Sequence, residues 1–520
     1  MRYDNPVIPG FYPDPSICRV GGDYYLVTSS FEYFPGVPVF HSCDLVHWRQ
    51  IGHCLTRAAQ LPLEKRPPSK GIYAPTIRHH DGTFYMVTTN VEGGGSFIVT
   101  TKDPAGEWSD PVWLEHPDID PSLLFDDDGT VYVTSSGNQQ SIVDIRAGKR
   151  LSDIRTIWPG TGGAYLEGPH LYRINGWYYL LCGEGGTDLG HMVTLARSSS
   201  PWGPFAPCPH NPILTHRNRG GHPIQATGHA DLVQAHDGSW WLVFLGIRVP
   251  SDVYPPFHNI GRETFLAPVT WTDDGWPVVN GNGTVELAMD APCLPPHPWP
   301  PEPARDDFDA PALGLCWNFL RNPRAADWSL AGRPGWLCLK GSPVTLDEID
   351  SPAFVGRRQQ HVDCCASALL DFAPQHDGEE AGLTVLMNHR HHYEIALTRL
   401  DGRRTVIVRR RIGDLQAVVA REPAPDGPVT LIVKADTGKY AFSFASGDGT
   451  PRALAEAETR YVSKEVAGGF TGVYLGMYAT GNGRRSSGVA GFDWFEYRGD
   501  DTAGNWNPAA IPVFRPGGGQ

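Results

Sequence analysis

The sequence predicts an all-β protein: a five-bladed β-propeller followed by a C-terminal β-sandwich. Three observations carry that expectation. Only 19% of the 520 residues are charged, while 59 Gly, 47 Pro and 11% aromatic residues supply the turns and side chains of short strands. One hairpin pattern recurs five times in the first half of the chain. A proline-dense stretch then separates these repeats from a second series of strand-like runs.

The hairpin pattern is a turn glycine followed by an aromatic and aliphatic run. It appears at Gly22, Gly82, Gly129, Gly176 and Gly238, as in Gly82-Thr83-Phe84-Tyr85-Met86-Val87 and Gly176-Trp177-Tyr178-Tyr179-Leu180-Leu181. The turn glycines lie 60, 47, 47 and 62 residues apart. Asp-Gly or Asn-Gly between strand-like runs marks a hairpin, because the turn needs positive φ. Units of roughly 40–60 residues built on such hairpins fit propeller blades. An ordinary antiparallel sandwich with several such turns is the competing reading, and five copies favour the propeller. This places a propeller over 1–290. Residues 291–306 hold seven prolines and read as a stiff linker or strap. Strand-like runs resume at 362–372, 382–387, 393–398, 405–410, 429–434, 440–445, 473–478 and 491–497, giving a β-sandwich over 307–499. The tail, 500–520, is polar and rich in Gly and Pro, either loosely ordered or laid over the surface.

Composition excludes several classes of partner. The formal charge is −14 and the pI about 5.8, which argues against binding a phosphate backbone. No apolar run approaches the roughly 20 residues that span a bilayer. The N-terminus has no apolar core or small-residue cleavage pattern, so the expected compartment is the cytoplasm. None of the ten cysteines forms a Cys-x-x-Cys pair, which argues against a structural zinc site and for reduced, packed thiols.

Counting back from each turn glycine exposes one shared position. Asp14 lies eight residues before Gly22. Tyr73, Asp120, Glu167 and His229 lie nine before Gly82, Gly129, Gly176 and Gly238. If each opens the innermost strand of its blade, all five meet at one mouth of the central channel. Three carboxylates held together raise one another's pKa, so such a cluster usually has a task. Glycoside hydrolysis needs this kit: one carboxylate to activate water and one carboxylic acid to protonate the leaving oxygen. A third can raise and orient the acid. A hard cation is the alternative occupant of an acidic cluster. Asp126-Asp127-Asp128-Gly129 lacks the spacing of a calcium loop and reads as a hairpin turn, and Gly93-Gly94-Gly95 lacks the Lys-Ser/Thr of a phosphate cradle. No Gly-x-Ser-x-Gly nucleophile turn sits between a strand and a helix.

At these residues the sequence resembles glycoside hydrolase family 43. The resemblance runs through Asn5-Pro6-Val7-Ile8-Pro9-Gly10-Phe11-Tyr12-Pro13-Asp14-Pro15-Ser16, Ser29-Ser30-Phe31-Glu32-Tyr33-Phe34-Pro35-Gly36, Asp44-Leu45-Val46-His47-Trp48, Ile119-Asp120-Pro121-Ser122, Glu167-Gly168-Pro169-His170, Glu184-Gly185-Gly186-Thr187 and Gly261-Arg262-Glu263-Thr264-Phe265. The second half resembles the sandwich of the two-domain β-xylosidase and α-L-arabinofuranosidase branch. The resemblance implies an exo-acting, inverting glycosidase that releases terminal pentoses from small oligosaccharides. It makes Asp14 the general base, Glu167 the general acid and Asp120 the modulator of the acid's pKa. Arg262, Phe31, Tyr73 and Thr187 become substrate-binding residues. His229 becomes a channel histidine facing a water cluster or a structural calcium ion, with no cofactor required for the chemistry. The sandwich should help close the pocket, with loop 480–489 nearest the site. Tyr73 stands where β-xylosidases of the branch often carry Trp, which leaves arabinofuranosides open beside xylosides. A carbohydrate-binding propeller without catalysis and an endo-arabinanase are the alternatives. A homo-oligomer is compatible with this reading.

Overall fold

The computed structural model describes residues 2–249, 255–290, 294–447 and 449–499. The tail expectation for 500–520 falls outside the described residues. Five sheets form blades I to V. Their innermost hairpins pair Ser16–Val20 with Asp23–Val27, Thr76–His80 with Thr83–Val91, Ser122–Phe125 with Val131–Ser135, Glu167–Ile174 with Trp177–Glu184, and Ile224–Gln234 with Trp240–Arg248. Each is one of the repeated hairpins. Asp81-Gly82 and Asn175-Gly176 carry φ of 48° and 71°, and of 49° and 80°, the two positive values that a tight two-residue turn demands.

The innermost strands touch in succession, and that of blade I touches that of blade V, so the ring closes. Arg2–Asp4 pairs with Ala288–Asp290, and Ile8 bridges to Thr264, which ties the start of the chain to its fifth blade. Below the mouth the channel is pinned by one charged network. Asp231 accepts from Arg78 (2.8 Å), Ser16 (2.7 Å), Tyr172 (2.5 Å) and the Ile17 amide (3.0 Å), and Arg78 also bonds His170 Nδ1 at 2.9 Å. These residues come from blades I, II, IV and V. Asp231 is fully buried, so its charge persists only because four donors replace water.

The second domain is a sandwich of two antiparallel sheets. One runs Trp328–Ser329, Leu337–Lys340, Val489–Gly499, Cys364–Asp371, Val429–Ala435, Lys439–Ser446, Arg452–Glu458; the other runs Ala353–Arg358, Tyr474–Thr480, Glu380–Asn388, His391–Leu400, Arg403–Ile412, Leu415–Pro423. Val429, Leu431, Val433 and Ala435 alternate inward as a half-buried strand requires and meet Leu383, Val385, Ile395, Leu397 and Met477 in one core.

The domains are fused rather than tethered. Phe319–Leu320 adds a strand to Tyr33–Phe34 of the propeller, and Tyr33 stacks on Tyr474 with centroids 3.8 Å apart. Arg358 is buried and donates to the Phe11 carbonyl at 2.7 Å. The proline-rich stretch docks on blade I: the His297 amide donates to Asp44 (2.6 Å) and Trp299 Nε1 to the His47 carbonyl (3.0 Å). No disulfide joins the nine described cysteines to one another. Among the described residues no helix is long and apolar enough to cross a membrane.

Candidate active site

All five residues of the shared register lie at the channel mouth: Asp14, Tyr73 and Asp120 just before their blades' innermost strands, Glu167 opening its strand and His229 in the middle of Ile224–Gln234, and the backbone at three of them is unusual. Asp14, Asp120 and His229 have φ of 56°, 55° and 45°, and Gly168, following Glu167, has 53°. Non-glycine residues rarely adopt this region, and the cost is of order 1–3 kcal/mol each. The gain is a sharp turn of the chain where it meets the channel. Glycine at 168 also lets the His229 ring lie on the backbone, since a Cβ there would sit 2.8 Å from that ring.

Asp14 is buried. Its Oδ1 accepts from Arg262 at 2.6 Å and its Oδ2 from Ser29 at 2.5 Å. Burial works to raise its carboxyl, but Arg262, His229, the Ser29 hydroxyl and His191 together hold it below the ordinary value. Glu167 goes the other way. Burial and then the charge of Asp120 push it up to about 7, against the pull of His229. Asp120 Oδ2 is held by the Gly168 amide (3.3 Å) and Ser136 (3.2 Å), with His229 Nε2 at 3.6 Å. Two carboxyl groups in one site are thus driven apart, one kept ionised and one kept protonated near neutrality. That division is what an acid–base pair requires.

Two histidines complete the floor. Burial lowers His229, but the adjoining Asp120, Asp14 and Glu167 outweigh it and push it up to about 9. His191, fully buried with Nε2 3.5 Å from Glu167 Oε1, falls to about 3 through burial and then the charge of His229. One ring is therefore a cation and its neighbour neutral. Among the described residues His229 joins no group of three ligand atoms close enough to share an ion.

The walls are aromatic. Phe31 lies 5.2 Å from Tyr73, 5.7 Å from Phe11 and 6.1 Å from Phe470, and the Arg262 guanidinium sits 5.8 Å from both Phe31 and Phe470. Tyr73 is fixed by its hydroxyl donating to the Ser69 carbonyl at 3.0 Å. Thr187 stands in the loop after Glu184, where its carbonyl accepts from Lys464 of the sandwich at 3.0 Å. The set combines an ionised carboxylate, a protonated one, a guanidinium and aromatic faces that a sugar ring can stack on.

Family models identify what this set belongs to. One described as glycosyl hydrolases family 43 matches residues 3–277, and one described as a beta xylosidase C-terminal Concanavalin A-like domain matches 305–498. The chain belongs to glycoside hydrolase family 43. It is 48% identical over 505 residues to the non-reducing end alpha-L-arabinofuranosidase BoGH43B of Bacteroides ovatus, covering 95% of this chain and 94% of that one. It is 40% identical over 518 residues to a xylosidase/arabinosidase of Butyrivibrio fibrisolvens, covering 95% and 98%. Among solved structures, Bacteroides ovatus xyloglucan PUL GH43B superposes with a TM-score of 0.92 at 47% identity over 96% of this chain and 100% of that one.

Two features of this family 43 site depart from the sequence expectation. The sandwich segment at the site is 468–472, carrying Phe470, and not loop 480–489. The latter folds back on its own domain: Ser487 donates to Glu379 through both its amide (2.7 Å) and hydroxyl (2.8 Å), and the Ser486 amide donates to the Gly341 carbonyl at 2.8 Å. Segment 468–472 is drawn across instead by Phe470 N on Ser69 (2.8 Å), by Arg262 on the Phe470 carbonyl (3.3 Å), and by Val473 N on the Asn259 carbonyl (2.9 Å). His191 and Ser29 are also absent from the sequence reading. For His191 a signal existed: Gly183 and Gly228 interrupt strand patterns, and each packs on its ring, with a Cβ on Gly228 falling 2.4 Å from it.

Gly472 crosses the propeller backbone so closely that a Cβ would stand 1.9 Å from the Ile260 carbonyl oxygen. Gly472→Ala therefore displaces Phe470 and loosens Arg262. The expected result is a fall in kcat/KM of about 10²-fold for an aryl pentoside, with an unchanged circular-dichroism spectrum as the check that the fold persists.

Proposed function

We propose that this chain is an exo-acting, inverting glycosidase that releases non-reducing-terminal α-L-arabinofuranosyl and β-D-xylosyl units from oligosaccharides. The observation that carries the reading is the opposed tuning of Asp14 and Glu167 within one walled mouth. In this reading Asp14 is the general base. Its lone pair takes a proton from water as that water attacks the anomeric carbon, and Arg262 and Ser29 fix the carboxylate for the task. Glu167 is the general acid and gives its proton to the leaving oxygen. Asp120 keeps that proton on Glu167 by its charge and keeps His229 cationic. No step runs through a metal. Phe31, Tyr73 and Phe470 stack on the terminal sugar, and the sandwich arm blocks passage of a polymer, which supports attack on chain ends. Two observations support arabinofuranosides beside xylosides: Tyr73 at the pocket edge and the relatives named above.

Aryl and oligosaccharide substrates separate the roles. Asp14→Ala lowers kcat about 10²–10⁴-fold on both kinds of substrate. Glu167→Gln lowers it by a similar factor on oligosaccharides, but by much less on a nitrophenyl pentoside, whose leaving group departs without a proton. If wild type cleaves neither aryl pentoside, the carbohydrate-binding alternative replaces this reading.

Stereochemistry is read by proton NMR of the first-released sugar. The anomer opposite to that of the substrate is expected, and a retained configuration overturns the single-displacement reading.

The pH profile follows from the two carboxyl groups. Glu167 must be protonated, so kcat/KM falls as pH rises through about 7. Asp14 must be ionised and lies low, so the acid limb begins only below the ordinary carboxylate range of roughly 4. Asp120→Asn removes the charge that supports Glu167 and shifts the alkaline limb downward.

A further inference from the structure

Blade I carries a second cluster of ligating side chains at the far end of its first hairpin from Asp14. Asp23 begins strand Asp23–Val27, and His41 and Cys43 lie two residues apart at the end of Gly36–Ser42, so they project from one face of the sheet. Tyr24 pairs with Ser42, which puts Asp23 across from Cys43. His41 Nε2 stands 2.7 Å from Asp23 Oδ1, Cys43 Sγ stands 3.5 Å from the same oxygen, and the sulfur lies 4.0 Å from His41 Nε2. All three ligand atoms lie within 4.8 Å of one another.

We propose that Asp23, His41 and Cys43 form a binding site for one zinc ion. The donor set is one imidazole nitrogen, one carboxylate oxygen and one sulfur, which suits a borderline-soft, tetrahedral cation. Zinc–ligand bonds of about 2.0–2.3 Å place tetrahedral donors roughly 3.3–3.8 Å apart. The Cys43–Asp23 edge already matches, the Cys43–His41 edge of 4.0 Å closes by a few tenths of an ångström, and the His41–Asp23 edge of 2.7 Å opens by about 0.6 Å as the ion replaces their hydrogen bond. The imidazole is aimed in advance: it stacks on Tyr25 at 5.1 Å and meets Trp299 of the proline strap at 5.3 Å. Cys43 binds as the thiolate and releases its proton to solvent. Three protein ligands leave the fourth position to water. The site needs no Cys-x-x-Cys motif, because the pleat and a cross-strand neighbour converge ligands that the sequence spreads over 20 positions.

The test uses the full chain, stripped of metal and titrated with Zn²⁺ by calorimetry and with Co²⁺ by absorption. One equivalent of Zn²⁺ is expected to bind, and Cys43→Ser and His41→Ala each weaken binding roughly tenfold or more. Co²⁺ should give a thiolate-to-cobalt charge-transfer band that Cys43→Ser abolishes. Zn²⁺ should raise the Tm of the wild-type chain and not that of Cys43→Ser, whose own metal-free Tm reports that it is folded. Failure to bind Zn²⁺ at micromolar concentration, or an isotherm and cobalt spectrum unchanged by Cys43→Ser, overturns the proposal and leaves a plain His–Asp ion pair.

Discussion

The carboxylates of Asp14, Asp120 and Glu167 share one buried mouth, and their mutual repulsion constrains everything built around them. Buried like charges persist only if each is neutralised by a partner, bonded by donors, or protonated. All three solutions occur here. Arg262 and Ser29 bond Asp14 directly. Asp120 is held by the Gly168 amide and Ser136 beside a cationic His229. Glu167, left with the weakest compensation, keeps its proton to about pH 7. One electrostatic conflict is thus resolved unequally across three blades, with one carboxyl kept ionised and another kept protonated.

That resolution depends on position at the level of the backbone. Positive φ at Asp14, Asp120 and His229 stores strain at the mouth, and the ring of blades must hold it in place. The network on Asp231 does so just below. Arg78, Ser16 and Tyr172 tie four blades together, and the buried Asp231 carboxylate is held well below the usual range, chiefly by Arg78 against the effect of burial. Two layers of charge therefore stack along the channel. The lower one is fully satisfied and rigid. The upper one keeps polar atoms of Glu167, His191 and Arg262 buried without a hydrogen-bond partner.

The sandwich contributes a wall rather than chemistry. Phe470 reaches the mouth because Gly261 and Gly472 allow two backbones to cross, and the His258–Glu465 pair (2.7 Å) and the Lys464–Thr187 contact fasten the arm on either side. A pocket closed by a second domain favours chain ends over mid-chain bonds. It also makes catalysis sensitive to the domain seam, where Tyr33, Tyr474, Phe11 and Arg358 pack.

Local sequence determined the blades, because each hairpin turn needs glycine, asparagine or aspartate where φ is positive and each strand announces itself by aromatic and aliphatic residues. The offset of eight or nine residues from those turns then brought Asp14, Asp120, Glu167 and His229 into one register, since a repeated fold returns the same position to the same radius. Only the tertiary structure shows that Asp14 is held low and Glu167 pushed high, because that depends on distances to Arg262, His229 and Asp120, residues far apart in the chain. It likewise decided that Phe470, not loop 480–489, meets the site. The two segments lie close in sequence and are similarly rich in Gly. The first segment's bonds to Ser69 and Asn259 exist only once the two domains have packed, whereas the second's bonds to Glu379 and Gly341 form within the sandwich.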